Sequence, residues 1–238
     1  MNRRRKIQVL EPEIFNFEEI DFSRQLSGQE LDFIKAQMSC YHFPGRSIIY
    51  KEGQRIKGVY LIFKGIVKMT INGSKGKEHT IRFSKNGDLL GYRPLLCDEL
   101  YCSTAETITE TELCFIPRQA LDHLFKNNHN LSYYLLRVAC NELKEANNFL
   151  FDISRKKLSE RVAAALVVLY QRFSVDENNK LNIDLPRVEL ARFVGTPPES
   201  LIKSLNTLER NNFIKLDGKQ IKINRIQDMV DFAKMSTA

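Results

Sequence analysis

At 238 residues, with 43% hydrophobic and 27% charged content, the chain has the size and balance of a two-domain globular protein. No apolar run approaches the roughly 20 residues of a membrane span. The start, MNRRRKIQVL, lacks the apolar stretch and cleavage site of a signal peptide, so no membrane partner and a cytoplasmic location are expected. The net charge of +7 is unevenly spread: 15 basic against 10 acidic residues from Arg155 onward, 21 against 19 before it. That excess suits a C-terminal part that binds a polyanion.

Residues 27–38 read as a short helix. From Cys40 the texture becomes β-rich, with short apolar runs at 47–50, 58–63, 66–71, 79–83, 101–105 and 109–116. Turn signals punctuate them: Pro44-Gly45, Glu52-Gly53, Lys64-Gly65, Asn72-Gly73 and Asn86-Gly87. Many short strands at this spacing predict a sandwich or barrel. The five cysteines, Cys40, Cys97, Cys102, Cys114 and Cys140, are odd in number and have no CxxC pair. Small buried hydrophobes are expected, not a disulfide framework or a metal site.

Pro117 opens a helical region. Leu136, Ala139, Leu143, Ala146, Leu150 and Ile153 alternate three and four apart, a narrow heptad-like seam that predicts a homodimer interface. Residues 154–157 (SRKK) interrupt the pattern as a hinge. A broad-faced apolar helix over 158–173 and a polar loop over 175–180 follow. The resulting division is 1–117, 118–154 and 155–238.

Residues 185–206, LPRVELARFVGTPPESLIKSLN, read as two short helices around a turn at Gly195. Thr196 to Glu199 has capping-box spacing, with Pro197 at the first helical position. Leu201, Leu205 and Leu208 face inward, leaving Ser200, Lys203, Ser204 and Arg210 to solvent or a partner. Two β-runs around Asp217-Gly218 then form a hairpin, the wing of a winged helix-turn-helix. Lys215, Lys219 and Lys222 on it are candidate phosphate contacts.

This order of parts resembles the Crp/Fnr family of bacterial transcription regulators over nearly the whole chain. FPGRSIIYKEGQRIKGVYLIFKGIVKM resembles the family's cyclic-nucleotide-binding jelly roll, and GDLLGYRPLL its phosphate-binding cassette. The winged helix-turn-helix corresponds in length and spacing through GKQIKI. The resemblance implies an α+β fold: an N-terminal β-roll (a double-stranded jelly roll), a long central dimerisation helix and a C-terminal winged helix-turn-helix. It implies no enzyme, no catalytic residue, no cofactor and no metal. Its implied partners are a second copy of the chain and double-stranded DNA with a palindromic operator, with RNA polymerase a further candidate.

The departures from the family concern the effector. Cyclic-AMP-responsive members carry Glu after the glycine that aligns with Gly91; here Tyr92 stands there. Their Arg-Ser-Ala aligns with Ser103-Thr104-Ala105, which removes a charge-assisted phosphate contact. Ala146-Asn147 stand where those members place Thr-Ser. The resemblance therefore implies an effector pocket around Gly91, Tyr92, Arg93, Ser103, Thr104 and Asn147 that does not take cyclic AMP. The alternative is that Arg93 replaces the missing anion ligand. Residues 1–39 hold no cysteine for an iron–sulfur cluster. None of His42, His79, His123 or His129 stands out as a haem ligand. His42 and His79 lack the HxH pairing of jelly-roll metal enzymes. For DNA, the family's base-reading positions fall on Pro198, Glu199 and Lys203, with Arg187, Ser200 and Lys219 as phosphate contacts.

Overall fold

The computed structural model describes residues 6–73 and 78–234, without the side chain of Ile153. It divides into two compact units, the first ending at Glu142 and the second beginning at Leu143. The fold is α+β: antiparallel sheets in the first unit, helices with a two-stranded hairpin in the second.

In the first unit β1 (Gln8–Leu10) and β2 (Ser39–Phe43) lead into β3 (Ile48–Tyr50), β4 (Gly58–Lys64), β5 (Val67–Asn72) and β6 (Glu78–Ser84). β7 (Leu89–Leu90), β8 (Thr104–Thr107) and β9 (Thr111–Pro117) complete it. They form two sheets, ordered β1-β2-β9-β4-β7 and β3-β8-β5-β6, and every pairing is antiparallel. Strands β4, β5 and β9 are buried over most of their length and pack Leu61, Ile62, Val67, Cys114 and Ile116 into one core. Gly58 permits the closest approach: a Cβ there would strike the Ile116 carbonyl and the Phe115 ring on the neighbouring strand.

None of the five cysteines is the small buried free residue that the sequence suggests. Cys40 on β2 and Cys114 on β9 are register partners, fully buried, and joined in a disulfide. Only the pairing of strands 74 residues apart brings them together. Cys97, Cys102 and Cys140 are free and exposed.

Four helices complete this part of the chain: α1 (Gly28–Gln37), α2 (Tyr92–Leu96), α3 (Arg118–Asn127) and the long α4 (His129–Arg155). Ser27 and Glu30 form a capping box on α1, so the helix begins where the sequence predicts. Asn128 joins three elements. Its Oδ1 accepts from the Leu131 N–H at 2.8 Å, while its Nδ2 donates to the Gln25 carbonyl at 2.8 Å and to Glu30 at 3.1 Å. The Ser27 and Asn128 donors hold the Glu30 carboxyl below its ordinary pKa, the Ser27 backbone N–H contributing most.

In the second unit α5 (Leu158–Phe173) buries Val162, Ala163, Leu166 and Leu169 against α6 (Arg187–Val194), α7 (Pro198–Arg210) and α8 (Ile226–Lys234). Between α7 and α8 lie β10 (Ile214–Asp217) and β11 (Gln220–Ile223), an antiparallel hairpin. Asp217 pairs with Gln220, so the turn residues are Gly218 and Lys219, one position later than the sequence reading. Among the described residues no helix is long and apolar enough to cross a membrane.

Candidate nucleic-acid interface and effector pocket

The second unit presents a helix, a turn, a helix and a hairpin, each held by identifiable contacts. Gly195 ends α6 at φ 73°, a left-handed conformation that glycine adopts without strain. Arg161 of α5 donates to the carbonyls of Val194 (2.6 Å) and Gly195 (3.3 Å), neutralising the C-terminal end of α6. Glu209 accepts from the Leu216 N–H at 2.8 Å, which fixes the hairpin to α7.

α7 starts one residue later than expected. Pro197 is the N-cap, extended at φ −61° and ψ 146°, and no side chain caps the helix. Proline at 198 disfavours helical backbone at 197, so the Thr196–Glu199 capping box does not form. Glu199 is thereby released to solvent. Ser204, expected on the outer face, is buried and donates to the Ser200 carbonyl at 3.1 Å. The inner face is Leu201, Leu205 and Leu208. The outer face is Glu199, Ile202, Lys203 and Asn206, all exposed, with no side-chain hydrogen bond or ion pair among the described residues. Ile202 and Asn206 were not singled out from sequence, although their three- and four-residue spacing from Glu199 and Lys203 marks the same face.

Of the other predicted contacts, Pro198 opens α7 half-buried, Ser200 is half-buried, and Lys219 is exposed at the hairpin turn. Arg187 is engaged inside the chain. Its guanidinium donates to the carbonyls of Gly218 (2.8 Å) and Lys219 (3.2 Å), and burial lowers its pKa. Lys215, Lys180 and Lys222 line a shallow depression beside Asp217 on the hairpin.

In the first unit a cavity of about 40 Å³ is lined by Gly91, Tyr92, Arg93 and Ser103 of the predicted pocket, together with Tyr50, Arg82, Tyr101, Cys102 and Glu142. Gly91 sits at φ 82°, and a Cβ on it would lie 2.8 Å from the Tyr101 ring. Thr104 is not in the lining; its hydroxyl accepts from the Glu52 N–H at 3.1 Å. Asn147 is not in the lining either; it is exposed on α4 in the second unit. Arg82 and Glu142 were missed. The first lies on a strand and the second on the flank of the α4 seam, and only the fold joins them.

Arg82 Nη1 forms an ion pair with Glu142 Oε1, and Arg82 Nη2 lies 3.8 Å from Asp88 Oδ2. Arg93 Nε lies 3.6 Å from Glu142 Oε2. Burial raises the pKa of Tyr50, Tyr92 and Tyr101, so all three are neutral donors at physiological pH. No group of His, Cys, Asp and Glu suited to a metal ion occurs among the described residues.

The predicted seam lies on α4. Leu136, Leu143 and Leu150 recur every seven residues at 59%, 62% and 65% exposure. Ala146 is exposed and Ala139 half-buried against the first unit's core. The Ile153 side chain lies outside the described residues.

The cyclic nucleotide-binding domain family matches residues 41–128, and the Crp-like helix-turn-helix domain matches residues 160–232. The CRP-like cAMP-activated global transcriptional regulator of Mycobacterium tuberculosis is 30% identical over 79% of this chain and 85% of its own length. The fumarate and nitrate reduction regulatory protein of Vibrio cholerae is 25% identical over 79% of this chain and 76% of its own. Among solved structures, FixK2 from Bradyrhizobium japonicum superposes with a TM-score of 0.74 at 20% identity. That superposition covers 82% of this chain and 96% of FixK2.

Proposed function

Because the chain belongs to the Crp/Fnr family of transcription regulators, we propose that it acts as a homodimer on a palindromic DNA operator and does not respond to cyclic AMP. The observation that carries the DNA reading is the outer face of α7, where four side chains of differing chemistry stand exposed and unpaired. In a major groove the N-terminal part of such a helix meets base edges. Glu199 accepts from cytosine N4, and Lys203 donates to guanine O6 and N7. Asn206 suits the adenine N6/N7 edge, and Ile202 suits a thymine methyl group. Pro198 offers only apolar or shape contact. Lys215 and Lys219 on the hairpin meet phosphate, as does Ser200. Arg187 supports the same contact indirectly, by holding the hairpin turn that carries Lys219.

The reading without cyclic AMP rests on Tyr92 filling the place of the family's ribose-binding Glu, on the uncharged Ser103-Thr104 pair, and on cavity size. About 40 Å³ is far below the several hundred Å³ of a typical drug-sized ligand site.

Lys203→Ala tests the DNA reading. In gel shifts on a selected operator it weakens specific binding by roughly tenfold or more, the worth of a good base contact. Binding to unrelated DNA changes much less. Equal loss on both would show that Lys203 serves phosphate alone and would remove it from the base-reading set.

A further inference from the structure

The polar groups around the small cavity are matched by a charge of the chain's own. Arg82 on β6 and Arg93 on α2 approach from separate elements, and the Glu142 carboxylate from α4 lies between them, one oxygen toward each. The Arg82 and Glu142 side chains are only 16% and 14% exposed, so this pair is largely removed from water. The same cavity is bordered by Tyr50 and Tyr92, each 4% exposed. Their buried hydroxyl oxygens have no hydrogen-bond partner among the described residues. Leaving a buried hydroxyl unsatisfied is costly, and two bordering one cavity point to a polar ligand.

We propose that Glu142 is a tethered anion occupying the anion seat of the effector pocket, and that a compact oxyanion of the phosphate or sulfate class competes with it for Arg82 and Arg93. This rests on the regulator reading, which makes the cavity an effector pocket. The seat suits a small ion. With Glu142 withdrawn it offers two guanidinium groups, whose planar forks match oxyanion geometry, and two neutral tyrosine donors. The free space of about 40 Å³, far below the several hundred Å³ of a typical drug-sized ligand site, leaves no room for a base and ribose. Because Glu142 belongs to the helix that also carries the exposed leucine seam, entry of the oxyanion releases a contact on α4. Ligand binding is thereby linked to the state of that helix.

The chain has no tryptophan and eight tyrosines, so intrinsic tyrosine fluorescence reads the pocket without labels. The full chain is titrated with inorganic phosphate, and separately with sulfate, as wild type, E142Q, E142D, R93A and E142Q/R93A. E142Q binds phosphate at least tenfold more tightly than wild type, E142D stays near wild type, and the double variant loses the gain. Cyclic AMP gives no saturable signal with either wild type or E142Q. Equal phosphate affinity in wild type and E142Q, or tighter binding of cyclic AMP than of phosphate, overturns the proposal. Should E142Q fail to fold, R93A decides: a drop of at least tenfold from wild type supports the seat, and unchanged affinity overturns it. Gel shifts with the same wild-type protein separate the two readings. Specific operator binding without any phosphate effect leaves the regulator reading standing and removes this one. Phosphate binding without specific DNA binding does the reverse.

Discussion

Glu199 shows how one backbone restriction decides a side chain's role. The spacing from Thr196 suggests that its carboxylate caps the helix, which would compete with base reading. Pro198 forces Pro197 into extended backbone, the helix starts late, and Glu199 becomes its second residue with no cap bond to make. Glu199→Gln therefore changes stability by no more than about 0.5 kcal/mol, as for an ordinary surface substitution. It relaxes discrimination at the operator cytosine by several-fold. Thermal unfolding and gel shifts on operators altered at that base check the two halves separately. A large fall in melting temperature would restore the capping role. The pocket teaches the complementary lesson. Gly91, Tyr92, Arg93 and Ser103 were legible because they share short segments with family motifs. Arg82 and Glu142 are 60 residues apart and became partners only through tertiary packing. The pairing of Cys40 with Cys114 is not legible in the sequence for the same reason, since strand register is not a local property.

Elements with strong local punctuation were the readable ones. The predicted helix over 158–173 has the bounds of α5, because a broad apolar face runs uninterrupted between polar segments. Strands β4, β5 and β6 follow the glycine-marked apolar runs. β1, β2 and β7 were not anticipated; two of them are only two or three residues long, too short for a period-2 pattern. α8 was also missed, although Met229, Val230 and Ala233 repeat at helical spacing, and Met229 and Ala233 are buried. The junction between α3 and α4 depends on Asn128, which caps α4, bonds α1 through Glu30, and bonds the turn preceding α1 through the carbonyl of Gln25. Asn128→Ala removes an N-cap worth about 1 kcal/mol and strands the bonds to Gln25 and Glu30. A loss of about 1–3 kcal/mol in urea unfolding is expected. Asn128→Asp keeps the cap but loses the Nδ2 donor and places a second carboxylate beside Glu30, so it recovers less than the full amount. Full recovery by Asp would mean that the cap alone matters.

At the scale of the whole molecule, one helix carries the features that a regulator has to link. α4 supplies Glu142 to the pocket and exposes Leu136, Leu143 and Leu150 at heptad spacing. A monomer leaves that apolar stripe in water, at roughly 25 cal/mol per Å² of surface it fails to bury. A second α4 packed along it would remove the exposure, with the exposed Ala146 allowing close approach of the two backbones. In the proposed dimer, pairing also sets the strength of DNA binding: with one α7 seated, a second half-site would be met at high effective concentration, raising affinity by about 10²–10⁴ over a single module. Leu143→Lys places a charge in the middle of the stripe, far from the outer face of α7 in sequence. It should convert the protein to monomer in sedimentation equilibrium and weaken operator binding by about a hundredfold. Affinity for a single half-site should stay within threefold of wild type, because the side chains that read it are untouched. A variant that stays dimeric would show that the stripe is not the seam, and a monomer that still binds the full operator at wild-type strength would show that α7 acts alone.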